Sequence, residues 1–547
     1  MKQIRYYALY ALLSIIIPQY THADTQNIDS FDFDFDDMDV DGSLDQVVID
    51  SSVTRATPHE IIDALETFGG IELLKENIYL HTNPLNKRSL LDYAMMGPQQ
   101  AYCNNKWTVG IYLFYNQTTR TYFTSGSDAF CSYLAITSPT LIEKITNSIN
   151  LIKPLFPHFA VDPLKILPLF KNSTAQERRI GFMVHGMRQY ESMYVRFMTP
   201  LYYDEHNYFL TDGERQDIET ELGALTANEQ QKFQKHHLIS DKLGFGDTRI
   251  EVDFKLLDRH CHTLHCAAQF TLPTAVAMVK GIQGTEFDKC APRPNFDFKK
   301  LFELSQNASL TPQDIKDQAT KLLQDFSIGA LDQLGACVLE TGLGNGGHIG
   351  LGGSFTLENK LSSIIHKSSW AESFYLYNKA SVEYLCPAHE RRFFIQEVNL
   401  AAFNARDFNS TDPKTSFENL EFLNTQFVNR FYPFSFKTLV SPGFIFHWIS
   451  SLNFDSEHMG FDIGGDVWTQ GHEKLSNIHT CDYDCKDFGV NNAVLPLAIQ
   501  AKILASLLFK ATRESHEWIV SFNGDYAVIT RGIGKDYTAS VNVEMNF

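Results

Sequence analysis

Four groupings of side chains have the types and spacings to do chemistry. Gly342-Leu343-Gly344-Asn345-Gly346-Gly347 satisfies G-x-G-x-x-G by letter. A dinucleotide site needs a strand before that run and a helix after it. Here the pattern predicts a helix before and a strand after, so the run is read as a turn. His260, Cys261, His262, His265 and Cys266 are transition-metal ligands in type. They fall on a tight turn between strand-like runs 248–258 and 266–279, and the preferred reading is a Cys261–Cys266 crosslink with bystander histidines. Asp37-x-Asp39-x-Asp41-Gly42, with Asp45 at the ninth position, opens like an EF-hand calcium loop. Val48 stands at the twelfth position, where a bidentate acid belongs. The run sits in Asp24–Asp50, which holds ten Asp and no basic residue. A solvated acidic arm is therefore the reading, with calcium as the alternative. His366-Lys367-Ser368 places an imidazole two residues before a hydroxyl. No metal and no cofactor is predicted.

The other cysteines suggest crosslinks in connectors. Cys481 and Cys485 flank Asp-Tyr-Asp, and Cys290 can pair with Cys337. Geometry decides such pairs. Nine cysteines leave one unpaired or bonded to another chain. The formal charge of −19 argues against a nucleic-acid surface. At the start, Lys2 and Arg5 precede an apolar run from Tyr6 to Ile17, and Thr21-His22-Ala23 offers small residues for cleavage. Residues 1–23 read as a signal peptide, and the mature chain as exported. No second segment has the ~20 apolar residues of a membrane helix.

What must position these groups is a set of alternating strands. Tyr537, Ala539, Val541, Val543, Met545 and Phe547 alternate with Thr538, Ser540, Asn542, Glu544 and Asn546. Successive strand side chains point to opposite faces, so one face is apolar and the other polar. This resembles the closing strand of Gram-negative outer-membrane β-barrel proteins of the porin-like class. In that class a terminal aromatic after alternating apolar residues is the signal for the barrel assembly machinery; Tyr537, Val541, Val543, Met545 and Phe547 match it. The resemblance implies an all-β fold: an antiparallel transmembrane β-barrel with long, partly helical outer loops.

Alternation recurs upstream. In 248–256, Ile250, Val252, Phe254 and Leu256 alternate with Arg249, Glu251, Asp253 and Lys255. Such charges are too costly against lipid and must face a wet lumen or solvent. Runs near 107–124, 193–201, 349–357, 371–385, 444–452, 461–467 and 518–528 repeat the pattern, although Asn378 breaks the apolar face of its run. Leu495–Phe509 fits a strand or a helix. The connectors alternate long and short, which predicts about twelve strands with both ends on the periplasmic side; fourteen is the alternative. Parity then points Arg179, His185, Arg196, Arg249, Glu251, Asp253, Lys255, Glu383, Asp462, Asp466, Asp525 and Glu544 inward. In the long connector 280–347, Thr311-Pro312-Gln313-Asp314 reads as a helix N-cap, followed by an apolar stripe. That helix folds into the pore or caps it from outside; the two readings are equal. The expected organisation is signal peptide 1–23, acidic arm 24–54, periplasmic cap or plug 55–105 and barrel 106–547.

The leading expectation is a passive outer-membrane channel or transporter for small solutes, its partners being outer-membrane lipid, the assembly machinery and the solute. One alternative is a surface adhesin or structural barrel that binds through its long loops. Another is a carrier for hydrophobic molecules with an N-terminal plug. His366-Lys367-Ser368 also has the His-x-Ser spacing of outer-membrane phospholipases, which are twelve-stranded barrels too. It falls in a connector without an identifiable Asn partner, so no enzyme activity is predicted.

Overall fold

The computed structural model describes Arg88, residues 107–121, 174–209, 239–259, 261–280, 342–363, 369–397, 434–480, 483–513 and 516–547, and short stretches between 300 and 426. Twelve strands form a closed antiparallel ring. In ring order they are β1 (Trp107–Arg120), β2 (Thr174–Gln189), β3 (Met193–Phe209), β5 (Thr248–Arg259), β6 (His262–Leu272), β8 (Gly350–Lys360), β9 (Phe374–Leu385), β12 (Ile445–Asp455), β13 (Met459–Gln470), β15 (Ala498–Arg513), β16 (His516–Arg531) and β17 (Lys535–Asn546). Closure runs through β17 on β1, with Val109 opposite Met545 and Ile111 opposite Val543. Closing the ring leaves none of the twelve as a free edge. Among the described residues no helix is long and apolar enough to cross a membrane.

Fourteen strands are hydrogen-bonded into this sheet, but two lie outside the ring. β4 (Ile239–Phe245) pairs with the outer half of β3 and with β7 (Val276–Lys280). The run 266–279, expected as one strand, is thus β6 and β7 separated at Pro273-Thr274-Ala275. Pro273 has no N–H to donate to a ladder, so the strand breaks there. Beyond the same end of the ring, β10 (Ala388–Phe394), β11 (Phe434–Ser441) and β14 (Lys474–Ser476) make a second small sheet. Phe394, Phe434, Phe436, Phe488 and Ala493 form its buried core.

The outer face follows the apolar parity. Val109, Ile111, Leu113, Ile180, Phe182, Leu351, Ile463, Ile503 and Leu507 are exposed and together make a band around the ring. Aromatics stand at both rims. At the short-turn rim are Trp107, Tyr190, Phe509 and Trp518, with the Arg188 guanidinium 4.8 Å over the Trp107 ring. Towards the other rim are Phe444 and Phe446, and Lys535 Nζ lies 4.8 Å over the Tyr526 ring. An apolar band between two aromatic girdles is the exterior that a bilayer selects.

The cysteine reading needs correction. Cys261 and Cys266 are both free thiols. Cys261 sits at the β5–β6 turn and Cys266 is within β6. Five extended residues span roughly 16 Å at the strand rise, whereas a disulfide needs Cα atoms within about 7 Å. Cys266 lies on the outer face between Phe254 and Phe355 in register. Cys485 is likewise free, so it makes no bridge to Cys481. Cys481, Cys290 and Cys337 lie outside the described residues, as do Asp37, Asp39, Asp41, Asp45, His260, His366 and Ser368. At the expected helix start, Asp314 N–H donates to Thr311 Oγ1 at 3.1 Å and Thr311 N–H donates back to the Asp314 carboxylate at 2.9 Å. These bonds hold the Asp314 carboxyl below the usual range. The apolar stripe after it is outside the described residues.

Candidate functional site: the barrel lumen

The face opposite the apolar band is polar and buried. Glu251 on β5 is its most connected carboxylate. It accepts from Arg196 Nη2 at 2.8 Å, Gln269 Nε2 at 2.8 Å, Lys379 Nζ at 3.1 Å and the Tyr194 hydroxyl at 3.3 Å. Two cations and two dipoles on β3, β6 and β9 converge on one fully buried side chain. A buried carboxylate requires that degree of compensation. Towards the long connectors, Arg249 donates to Glu383 at 2.7 Å and Thr271 Oγ1 donates to the same carboxylate at 2.6 Å. Towards the short turns, Asp253 takes His265 Nδ1 at 2.8 Å and the Tyr194 hydroxyl at 2.7 Å.

Three further groups complete the wall. Arg179 pairs with Glu177 and, through Nε at 3.4 Å, with Asp204; His206 Nε2 lies 3.0 Å from Glu177. Lys502 Nζ donates to Asp525 at 2.8 Å and to Asp536 at 3.0 Å. Glu544 accepts from Asn542 at 2.6 Å and the Tyr112 hydroxyl at 3.2 Å, and His185 Nε2 lies 3.4 Å away. Of the remaining expected lumen residues, Asp462 is buried on β13 opposite Ser506. Asp466 is buried and takes His447 Nε2 at 2.6 Å and Arg88. Lys255 pairs with Asp258 at 3.0 Å at the short-turn end, where β5 carries a register shift, and is only half-buried.

The lumen is bridged at mid-height. Met183 on β2, Met198 on β3, Tyr377 on β9, Ile449 on β12 and Leu504 on β15 form one buried apolar cluster with Tyr112 packed on it. In the ring order β12 stands opposite β2, six places round, and β9 is four places from β3. Side chains from facing walls therefore meet across the bore. Nearer the long connectors, Phe114 and Tyr202 pack against Leu343 from the glycine-rich turn. That turn is the shape the glycines allow. Gly344, Gly346 and Gly347 have φ of +72°, +69° and +87°, a region open to glycine at little cost. Gly344 N–H donates to the Tyr202 hydroxyl at 3.2 Å and Asn345 N–H to Asp247 at 2.5 Å. Burial nonetheless pushes the Asp247 carboxyl up.

Several lumen residues escaped sequence reasoning. Glu177 and Asp204 fell just inside the long connectors, which the alternation set at 125–178 and 204–247. Lys379 follows Asn378, the residue that broke parity. Lys502 sits in the run that fitted helix and strand alike. For Glu177 and Asp204 the alternation held the signal one or two residues past the boundary, whereas Lys379 and Lys502 lay inside runs already marked. Arg88 had no local signal at all.

No family model matches this chain, and no curated protein matches it in sequence. Among solved structures, an outer membrane channel from Pseudomonas putida F1 is similar at a TM-score of 0.39 and 8% identity, covering 82% of this chain and 99% of that one. The translocator domain of the autotransporter NalP from Neisseria meningitidis is similar at 0.31 and 6%, covering 83% and 92%. The Pseudomonas putida toluene transporter TodX is similar at 0.26 and 8%, covering 82% and 89%.

Proposed function

We propose that this chain is an outer-membrane channel or transporter for small solutes whose bore is shut in the described state. The observation that carries the reading is the pairing of two surfaces on one ring: an exposed apolar band outside and a charged face within, bridged by the Met183–Leu504 cluster. Charged collars set ion preference, and an apolar constriction excludes ions by shedding water. Moving the bridge aside joins the charged collars into one hydrated path. The outer membrane is the location this exterior suits, with Tyr537, Val541, Val543, Met545 and Phe547 read by the assembly machinery.

The test is conductance in planar bilayers. The wild-type protein is expected to open rarely and in discrete steps. Ile449→Ser, which puts a hydroxyl into the bridge, is expected to raise open probability at least about tenfold, the effect of ~1.4 kcal/mol on a two-state gate. Folded wild-type and Ile449→Ser proteins that never conduct would sink the channel reading. That result would favour the structural or adhesive barrel, for which the aromatic-cored sheet β10–β11–β14 supplies an extramembrane platform.

A further inference from the structure

Arg88 precedes the barrel in the chain, yet its side chain is fully buried among barrel residues. Its Nη1 donates to Gln500 Oε1 at 2.9 Å, and its Nη2 pairs with Asp466 and lies 3.1 Å from His447 Nε2. His447 and Gln500 are near the starts of β12 and β15, and Asp466 is near the end of β13. All three positions are at the long-connector end of the ring. Trp107, where β1 begins, pairs with Phe547 at the short-turn end. The two described ends of this stretch thus stand at opposite rims. Gln500 passes the network on, its Nε2 donating to Asp536 at 2.8 Å. Asp536 and Asp525 share Lys502. Among the described residues of this network, Arg88 and Lys502 face Asp466, Asp525 and Asp536.

The receiving site is built for a planar fork. A carboxylate and an amide oxygen accept from separate nitrogens of one guanidinium, a division of labour that an ammonium cannot reproduce. Among the described residues, removing Arg88 would leave Asp466 with His447, and Asp466, Asp525 and Asp536 with Lys502 as the remaining ammonium. Resting on the channel reading, we propose that Arg88 is a tethered ligand: its guanidinium fills a cation-binding site of the lumen, and that site takes free guanidinium-bearing cations when this side chain is absent from it.

The experiment measures methylguanidinium binding by calorimetry to the full chain folded in detergent, with folding verified by heat-modifiable gel migration. A tether occupying the site nine-tenths of the time lowers apparent affinity about tenfold. Arg88→Ala is therefore expected to bind methylguanidinium at least tenfold more tightly than the wild type, and more tightly than methylammonium. Arg88→Ala combined with Asp466→Asn is expected to lose that binding. In bilayers, Arg88→Ala is expected to pass cations over anions and to be blocked by methylguanidinium. Folded Arg88→Ala that conducts but binds no methylguanidinium overturns the tethered-ligand proposal and leaves the channel standing. Binding without conductance in any variant keeps the site and removes the channel. Should Arg88→Ala not fold, Arg88→Lys retains the charge without the fork; it is expected to be displaced by methylguanidinium, and no displacement overturns the proposal.

Discussion

Glu251→Ala is expected to be among the most damaging single changes in the lumen. The substitution deletes the acceptor shared by Arg196, Lys379, Gln269 and Tyr194. Lys379 is then a fully buried ammonium that has lost Glu251, and Arg196 is nearly as deep. Breaking a buried pair from one side costs about 3–5 kcal/mol, because the remaining charge stays desolvated. Glu251→Gln keeps one acceptor oxygen, replaces the other by an N–H donor and removes the charge, so a loss smaller than that of alanine is expected. Urea unfolding in detergent, followed by tryptophan fluorescence, reads the difference as a lower midpoint at unchanged slope. A Glu251→Ala midpoint equal to the wild type would mean that the network stabilises nothing and that water already reaches these groups.

A second large effect is expected one surface away. Ile503 is 56% exposed, at mid-strand on β15, and its neighbour Lys502 is buried on the other face. Ile503→Arg places a charge against the bilayer midplane. The cost there is about 2–4 kcal/mol and falls towards the interfaces. Lys502 carries its charge at no such cost, because Asp525 and Asp536 meet it inside. Refolding from urea into lipid vesicles is the measurement, with Ile503→Arg expected to fold less completely and to unfold at lower denaturant. Equal refolding of the two proteins would show that this face never meets lipid.

Much of the ring is visible in the primary structure because the alternation of apolar and charged residues is enforced twice, by lipid outside and by water and ion pairs inside. In β5 the run Arg249–Leu256 could take only one face pattern, and it is the pattern observed. The alternation of long and short connectors yielded twelve ring strands because short turns permit only antiparallel neighbours. Where only one constraint acts, legibility fails. The β6–β7 break depends on Pro273, a single residue. The Cys261–Cys266 pairing rested on closeness along the chain, which an extended backbone does not convert into closeness in space. Asn378 broke the apolar face because it sits on the outer side between Leu357 and Ser450 in register. Arg88 was beyond reach for a different reason. Its partner Asp466 is 378 residues away, and no periodicity around position 88 announces it.

Two adjacent tryptophans give the most direct test of whether this ring is a membrane cylinder. Trp448 on β12 is 46% exposed and Trp468 on β13 is 1% exposed, although His447 and Trp468 are register partners. Single-tryptophan proteins retaining one or the other are reconstituted into vesicles of lipids brominated along the acyl chain, and then titrated with aqueous iodide. The expected result is strong quenching of Trp448 by bromine and little by iodide, with Trp468 shielded from both. Quenching of Trp448 by iodide and not by bromine would contradict the account, since the apolar band would then face water.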